Sequence, residues 1–597
     1  MSKKSGTNSL RHHLKLRHPT ALNQIEADEA DIKMRRQIDV DKASIQPFFS
    51  LPITDLTTEE VKPVFMIPNL WEENDDTTEE RSIELAIIKM ISIDCMPLKT
   101  VEREGFRHFL SIVCPKFSPK SLIFYASYVL PLLEQMMRNK IADDLKSMTY
   151  LSIASDSWSS KCNKHHLLSV GAHWIDSESF TPQSCILASP IIYGTSVDAS
   201  NYSDRIKCIL NSYGVPTNKV TCMVRDGTKM MQSLSDKLKL ESINCFSNMI
   251  QMCVVDVFYS SPNVQSLLLK LKKIVRKVRK SLKNCLSELQ NENELPERML
   301  LEDTEVRWTS LLKMLVSFLS AKTTIDYLNA SSDPDSDSGE DCFPKISDDE
   351  WNLMASVKAV IEPLADIATH LQHRFNSTAS VIIPCLQVYA FKNRKMRQTI
   401  ENYIDDGDES IELHFLKEIN EAMHFRGMQY MENEKLKMAT FVDPRFKDSY
   451  FPCSFKDKVI HKIKLNNGLI DVKSEAPTTF CDSIFEEYLL HNSRCSSIQN
   501  SESDNDEVTK EIENYLSTPP STSIDPFTFW SCHNEFPNLK KLALELLSIP
   551  ATSSETERLF SVSEMILTEN RNRTKAETVE TMVFCNLNSK IYGVNSF

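Results

Sequence analysis

Glycine is the scarcest informative residue in this chain. Only 11 occur in 597 residues, and the closest pair, Gly214 and Gly227, is too far apart to share a loop. The phosphate-cradling G-x-G-x-x-G loop and the P-loop both need glycines a few residues apart, so that backbone can approach a phosphate; both are excluded. The G-x-S-x-G nucleophile elbow fails for the same reason. No H-E-x-x-H and no C-x-x-C occurs, which removes the common zincin and ribbon signatures. No apolar run reaches membrane-spanning length, and the polar, basic opening "MSKKSGTNSLRHHLKLRHP" is no signal peptide. The expectation is an intracellular chain whose 16 scattered cysteines are mostly reduced, small apolar fillers.

What remains is ordinary for a folded protein: 41% hydrophobic and 25% charged residues, enough length for several cores. The net charge of −14 argues against uniform nucleic-acid coating but leaves room for a local basic surface. Residues 1–20 are basic and carry histidines, and 21–80 read as a polar linker with the acidic run "EENDDTTEE". Helical periodicity covers Ile83 to Met148. The period then shortens: "MTYLSIASD", "HHLLSVGAHWI", "SCILASPIIY" and "KVTCMVRD" are short, β-branched and partly alternating, hence strands, with the helix "YSDRIKCILNSYG" before the last. Residues 263–290 return to helix, apolar along Leu267, Leu271, Ile274, Val275, Val278, Leu282 and Leu286 and basic elsewhere. Acidic loops at 331–350 and 496–512 bracket further helices, and three more close the chain. There are no internal repeats.

Three constellations carry candidate chemistry. Asp156 and Asp226 each end a strand, and two strand-end aspartates of one sheet can share a divalent ion; more commonly such residues cap turns. In "SIPATSSETERLFSVSEMI", Thr552 and Ser554 stand three residues before Glu555 and Glu557, the spacing of a capping box, while Glu557 is also placed to supply a third oxygen ligand. His13 and His18 have the spacing of helical zinc ligands, yet two histidines cannot close a tetrahedral site; free surface histidines are the alternative. The basic run around Lys272, Lys273, Arg276 and Lys280 either tracks phosphates or is a solvated helix face.

Together these motifs resemble the hAT superfamily of transposases and host proteins derived from them, with a BED-type zinc finger. "TNSLRHHLKLRHP" is similar to the second half of a BED finger, and "IASDSWSS" and "MVRDGTKMM" to the blocks holding the first two family acids. "VRWTSLLKML" carries the family's Arg-Trp pair as Arg307 and Trp308. "FVDPRFK" resembles a marker of the helical insertion, and the stretch from "FWSCHNEF" to "TERLFS" resembles the C-terminal dimerisation segment. Two departures stand out: Asn248 occupies the histidine position of a C-x-x-H block that keeps Cys245, and Met230 replaces the asparagine expected after the second acid.

The resemblance implies an α/β plus all-α chain: an RNase H-like core interrupted by a large helical insertion, preceded by a partial finger and a helical region. The implied domains are a finger at 1–20, a linker at 21–80, a DNA-binding-like helical region at 81–147, and the first part of the core at 148–290. The insertion at 291–520 and a dimerisation region at 521–597 that completes the core follow. Asp156, Asp226 and Glu557 become the implied catalytic acids and Mg²⁺ ligands. His13 and His18 become part of a zinc site that needs an upstream cysteine pair. Arg11, Lys15, Arg17, Lys272, Lys273, Arg276, Lys280, Arg307 and Trp308 become DNA contacts. Leu559, Val562, Ile566, Val579, Met582 and Val583, more apolar residues than two helices can bury against each other, become a homodimer interface. The expected function is a nuclear, dimerising protein on double-stranded DNA, a transcriptional regulator with poor or no strand cleavage, and no membrane or nucleotide cofactor is involved. An active DDE-type transposase and a protein-interaction scaffold are the alternatives.

Overall fold

The computed structural model describes residues 75–159, 166–192, 198–282, 299–303, 308–330, 344–371, 378–402, 410–452, 454–467, 507–520, 524–567, 575–593 and 596. Helix α1 (Asp75–Ile93) leads through a 3-10 turn (Leu98–Glu102) into α2 (Glu104–Val113), and α3 (Leu130–Lys146) continues from a π-helical turn at Tyr125–Val129. Pro131 accounts for that turn. It has no N–H to return to Ser127, and a wider helical turn accommodates the missing bond.

The strands are β1 (Met148–Ser155), β2 (Ser157–Ser159), β3 (His166–Leu168), β4 (Val170–Asp176), β5 (Pro182–Ala188) and β6 (Ile191–Ile192). After α4 (Ala199–Ser212) come β7 (Val220–Arg225), α5 (Lys229–Leu238), β8 (Ser242–Asn244) and α6 (Phe246–Val254). Five of them form one sheet in the order β5-β4-β1-β7-β8. β1 is antiparallel to β4, and β4 to β5, whereas β7 runs parallel to both β1 and β8. Central β1 is buried without alternation from Leu151 to Ser155, as a strand covered on both faces must be.

The single strand expected at "HHLLSVGAHWI" is two. The Ser169 N–H donates to the Asp156 carbonyl and its hydroxyl accepts from the Asp156 N–H, so the chain breaks pairing there. β3 then joins β2 and β6 in a second, small sheet. β8 escapes sequence reading because three residues are too few to show a period.

Helices α7 (Pro262–Lys277), α8 (Trp308–Ser320), α9 (Lys322–Ala330), α10 (Asp348–Leu371), α11 (Ile382–Glu401), α12 (Ile411–Met431), α13 (Glu434–Val442), α14 (Phe455–Asn466), α15 (Glu507–Ser517), α16 (Pro526–Cys532) and α17 (Pro537–Leu546) build a helical body. Its core is continuous with the β7–β8 edge through Cys222, Val224 and Ile243. The "FVDPRFK" stretch is a fastener inside that body. Arg445 pairs with buried Asp443 at 2.7 Å, and the Lys447 ammonium donates to the Tyr515 carbonyl and to both oxygens of Thr518, each at 2.6 Å. Those acceptors lie at the C-terminal end of α15, where helix carbonyls lack partners and favour a cation.

The last two helices, α18 (Ser554–Ile566) and α19 (Ala576–Tyr592), return to the sheet. α19 lies against β5, α1 and α3. Its Asn588 side chain bonds both the N–H and the carbonyl of Ile186 at 3.0 Å, and its Asn586 amide caps the end of α1 through the Ser92 and Ile93 carbonyls. The architecture is therefore a mixed sheet with helices, predominantly α, whose first and last described segments share one core.

A candidate acidic site at the sheet edge

Parallel β1 and β7 pair Ser155 with Arg225, so the next residues, Asp156 and Asp226, leave the same edge of the sheet side by side. The carboxyl edge of parallel strands is where open α/β sheets place ligands. A third segment closes over this edge. The Phe246 N–H donates to the Ala551 carbonyl at 3.2 Å, and the Ser553 N–H donates to the Cys245 sulfur at 3.3 Å. These two bonds seat the start of α18, and with it Glu557, beside both aspartates.

Asp156 is only 3% exposed. Its Oδ2 accepts from the Thr556 hydroxyl at 2.5 Å, and that hydroxyl also lies 2.6 Å from the Ser553 carbonyl. Its Oδ1 is buried without a hydrogen-bond partner. Burial pushes the carboxyl up to about 7. The Thr556 hydrogen bond and the nearby Ser553 hydroxyl oppose that rise, and the negative charges of Asp226 and Glu557 add to it. Buried Cys245 is pushed up to about 12, first by burial and then by Glu557 and Asp156, so it stays a thiol.

Asp226 is half-buried, and its Oδ1 accepts from both the N–H and the hydroxyl of Thr228, at 2.9 and 2.6 Å. That is turn-capping chemistry. Glu557 is half-buried in the first turn of α18. The capping box does not form: N-cap Ser553 makes no side-chain cap bond. Glu555 instead accepts from Ser184 on β5 at 3.1 Å and faces His173 at 3.9 Å, because the sheet offers it partners that a solvated helix end lacks.

Magnesium needs oxygens converging at about 2.1 Å from one point. Among the described residues no three His, Cys, Asp or Glu side chains converge closely enough to hold a metal ion. The orphan Oδ1 of Asp156 has the right chemistry, but Oδ2 is taken by Thr556 and an oxygen of Asp226 by Thr228. The side chains as arranged do not fit the ion, and no metal-dependent step is derived from them.

Sequence reasoning missed Thr556 and Arg225. Arg225 is 3% exposed; it donates to the Asp226 carbonyl and to Asn244 Oδ1, both at 2.8 Å, and to Ser242 at 3.1 Å. β7 does not alternate, so the only available signal was a charged residue closing an otherwise apolar strand. Asn248 and Met230 are both half-buried.

The DNA-contact and interface candidates divide. Trp308 is 5% exposed inside the helical body, so its indole is core rather than a DNA contact, and its backbone N–H donates to Gln251 Oε1 at 2.6 Å. Lys272 faces buried Asp303 at 3.8 Å and Arg276 bonds Glu302 at 3.0 Å, whereas Lys273 and Lys280 are exposed. Arg11, His13, Lys15, Arg17, His18 and Arg307 lie outside the described residues. Leu559, Val562, Ile566, Val579, Met582 and Val583 are all buried within the single chain, packed with β1, β4, β5, α1 and α3. They are not a surface. The expectation failed because it counted what α18 and α19 can cover in each other and omitted the sheet and the N-terminal helices.

Residues 511–589 match the hAT family C-terminal dimerisation region. The chain is 25% identical over 545 residues to human zinc finger BED domain-containing protein 4, covering 86% of this chain and 45% of that protein. It is 19% identical over 669 residues to mouse zinc finger BED domain-containing protein 6, covering 98% and 66%. It is 23% identical over 559 residues to the putative AC transposase of Zea mays, covering 85% and 65%. The chain thus spans about half to two thirds of the length of these relatives.

Proposed function

Because the chain carries a hAT C-terminal dimerisation region and is homologous over most of its length to BED-finger proteins and to a transposase, we propose that it is a nuclear DNA-binding dimer of hAT-transposase descent, acting as a regulator. The observation that carries this reading is the likeness over 86% of the chain to human zinc finger BED domain-containing protein 4. The five-stranded sheet, three strands antiparallel and two parallel, is read as an RNase H-like core that the helical body interrupts and α18 rejoins. Zinc enters only with a complete finger. His13 and His18 supply two of the four ligands a structural site needs.

A transposase is the second reading, favoured by one observation: the charges of Asp226 and Glu557 both bear on Asp156 at one sheet edge, although Glu557 follows it by some 400 residues. Asn248 weighs against it, since an amide cannot exchange a proton near neutral pH as histidine does. So does Met230, which replaces neither the donor nor the acceptor of an asparagine amide.

DNA binding is tested by fluorescence anisotropy of the full chain with a labelled duplex across a salt series. Affinity is expected to fall steeply with salt. Lys273→Glu with Lys280→Glu is expected to flatten the log–log slope by about two, because each lost phosphate contact removes roughly 0.9. Lys272 is left alone, since reversing it faces buried Asp303 with a second negative charge. No binding at low salt overturns the reading, and an unchanged slope leaves Lys273 and Lys280 on a merely solvated face.

A further inference from the structure

Asp156 cannot be re-aimed by its backbone. Its N–H donates to Ser169 Oγ at 3.0 Å, and its carbonyl accepts from the Ser169 N–H at 2.9 Å. What the carboxyl meets is therefore decided by the side chains around it. Oδ1 is walled off from solvent without a hydrogen-bond partner. That leaves Oδ2, and Thr556 covers it.

Thr556 is fully buried in the first turn of α18, and its surroundings fix its hydroxyl. The methyl lies over Gly171 of β4, 3.5 Å from the point where a Cβ at Gly171 would stand. A β-branched side chain is stiff about its one heavy-atom torsion, so seating the methyl also aims the hydroxyl. The hydroxyl then lies 2.5 Å from Asp156 Oδ2 and 2.6 Å from the Ser553 carbonyl. The backbone that carries it is held as well, by the Ser553 N–H on Cys245 Sγ and the Phe246 N–H on the Ala551 carbonyl.

We propose that Thr556 is a lock: its hydroxyl stands on Asp156 where a divalent cation would have to stand, and joins α18 to the sheet by hydrogen bonds in place of an ion. The misfit to magnesium described above then comes from a hydroxyl and not from a missing acid. Magnesium is commonly held by one or two carboxylates and keeps several waters, and manganese shares its preference for oxygen, so a trio is not required. Asp226 can contribute, because Thr228 takes its Oδ1 twice and leaves Oδ2 outside that turn. Asp156 cannot, since one oxygen is walled in and the other is capped. The lock is local to this sheet edge and does not depend on whether the chain binds DNA.

The test is Mn²⁺ uptake by the full chain without DNA, followed by electron paramagnetic resonance, in which the signal of the hydrated ion falls as the ion is bound. The buffer is set at about pH 8, where carboxyl groups in general are ionised. Wild type and Thr556→Ser, which keeps the hydroxyl, are expected to titrate alike, at the level that surface acids set. Thr556→Ala removes both hydroxyl and methyl, and is expected to take up about one further Mn²⁺ per chain. Adding Asp156→Asn is expected to abolish that gain. Mn²⁺ is also expected to raise the melting midpoint of Thr556→Ala more than that of wild type, as a ligand bound only by the native chain must. A folded Thr556→Ala that gains no ion overturns the lock. So does a wild type whose own uptake drops in Asp156→Asn, a comparison that needs no Thr556 variant to fold; equal uptake by those two supports it.

Discussion

Asp156 holds one of its oxygens against a hydroxyl and buries the other with no partner, an expensive position for a carboxylate. Below about pH 4 the native and unfolded chains both carry its proton, and the group favours neither. Between pH 4 and about 7 the native chain keeps a proton that the unfolded chain releases, so stability from this group falls as pH rises. Above that range the penalty is complete. Asp156→Asn removes the ionisation, and its amide can donate to Thr556 Oγ1 while that hydroxyl donates to the Ser553 carbonyl. The variant is expected to be more stable than wild type by on the order of 2 kcal/mol at pH 8, with the difference vanishing near pH 4, as read from urea denaturation across pH. A variant less stable at pH 8 contradicts this account of the site. At this scale the sequence was half legible. Asp156 and Asp226 end β-branched runs, and their place at strand ends could be read directly. Thr556 could not, because a hydroxyl beside glutamates at a helix start reads as a cap until the sheet edge it meets is known.

The elements were the most legible level, and the surfaces they cover the least. Helical periodicity located α2, α3, α18, α19 and α1 from Ile83 onward, and short, β-branched, partly alternating runs located β1, β4, β5 and β7. Strand β8 and the break at Ser169 were lost because short pairing and one local hydrogen-bond exchange leave no period. An apolar stripe says that a helix face is covered, not by what, which is why six core residues on α18 and α19 read as an interface. The structure reverses the consequence of mutating them. Val583→Asp sets a carboxylate among Leu133, Ile186 and other buried residues of the sheet-side core, and is expected to cost more than about 3 kcal/mol. The measurement is the urea midpoint: a strong drop, or failure to stay soluble, is expected. A folded monomer with an unchanged midpoint contradicts the packing of α19 and returns these residues to the surface.

At the scale of the whole molecule, chain order and spatial order part company. The sheet begins at Met148, the helical body intervenes, and α18 closes over the sheet edge some 400 residues later, with Thr556 bonded to Asp156. Motif order made that return legible; spacing alone could not, since no local rule connects residues so far apart. The overall charge of −14 confines any DNA contact to a local basic face such as the one that keeps Lys273 and Lys280 exposed, while Lys272 faces buried Asp303 and exposed Arg276 is paired with Glu302. The central claim is that this is a DNA-binding protein that does not cut DNA. Incubating the full chain with end-labelled duplex in magnesium buffer, isolating the shifted complex and resolving its strands on a denaturing gel tests that claim in one assay. The account predicts a salt-sensitive complex whose strands are intact; a magnesium-dependent nick that disappears in Asp156→Ala contradicts it.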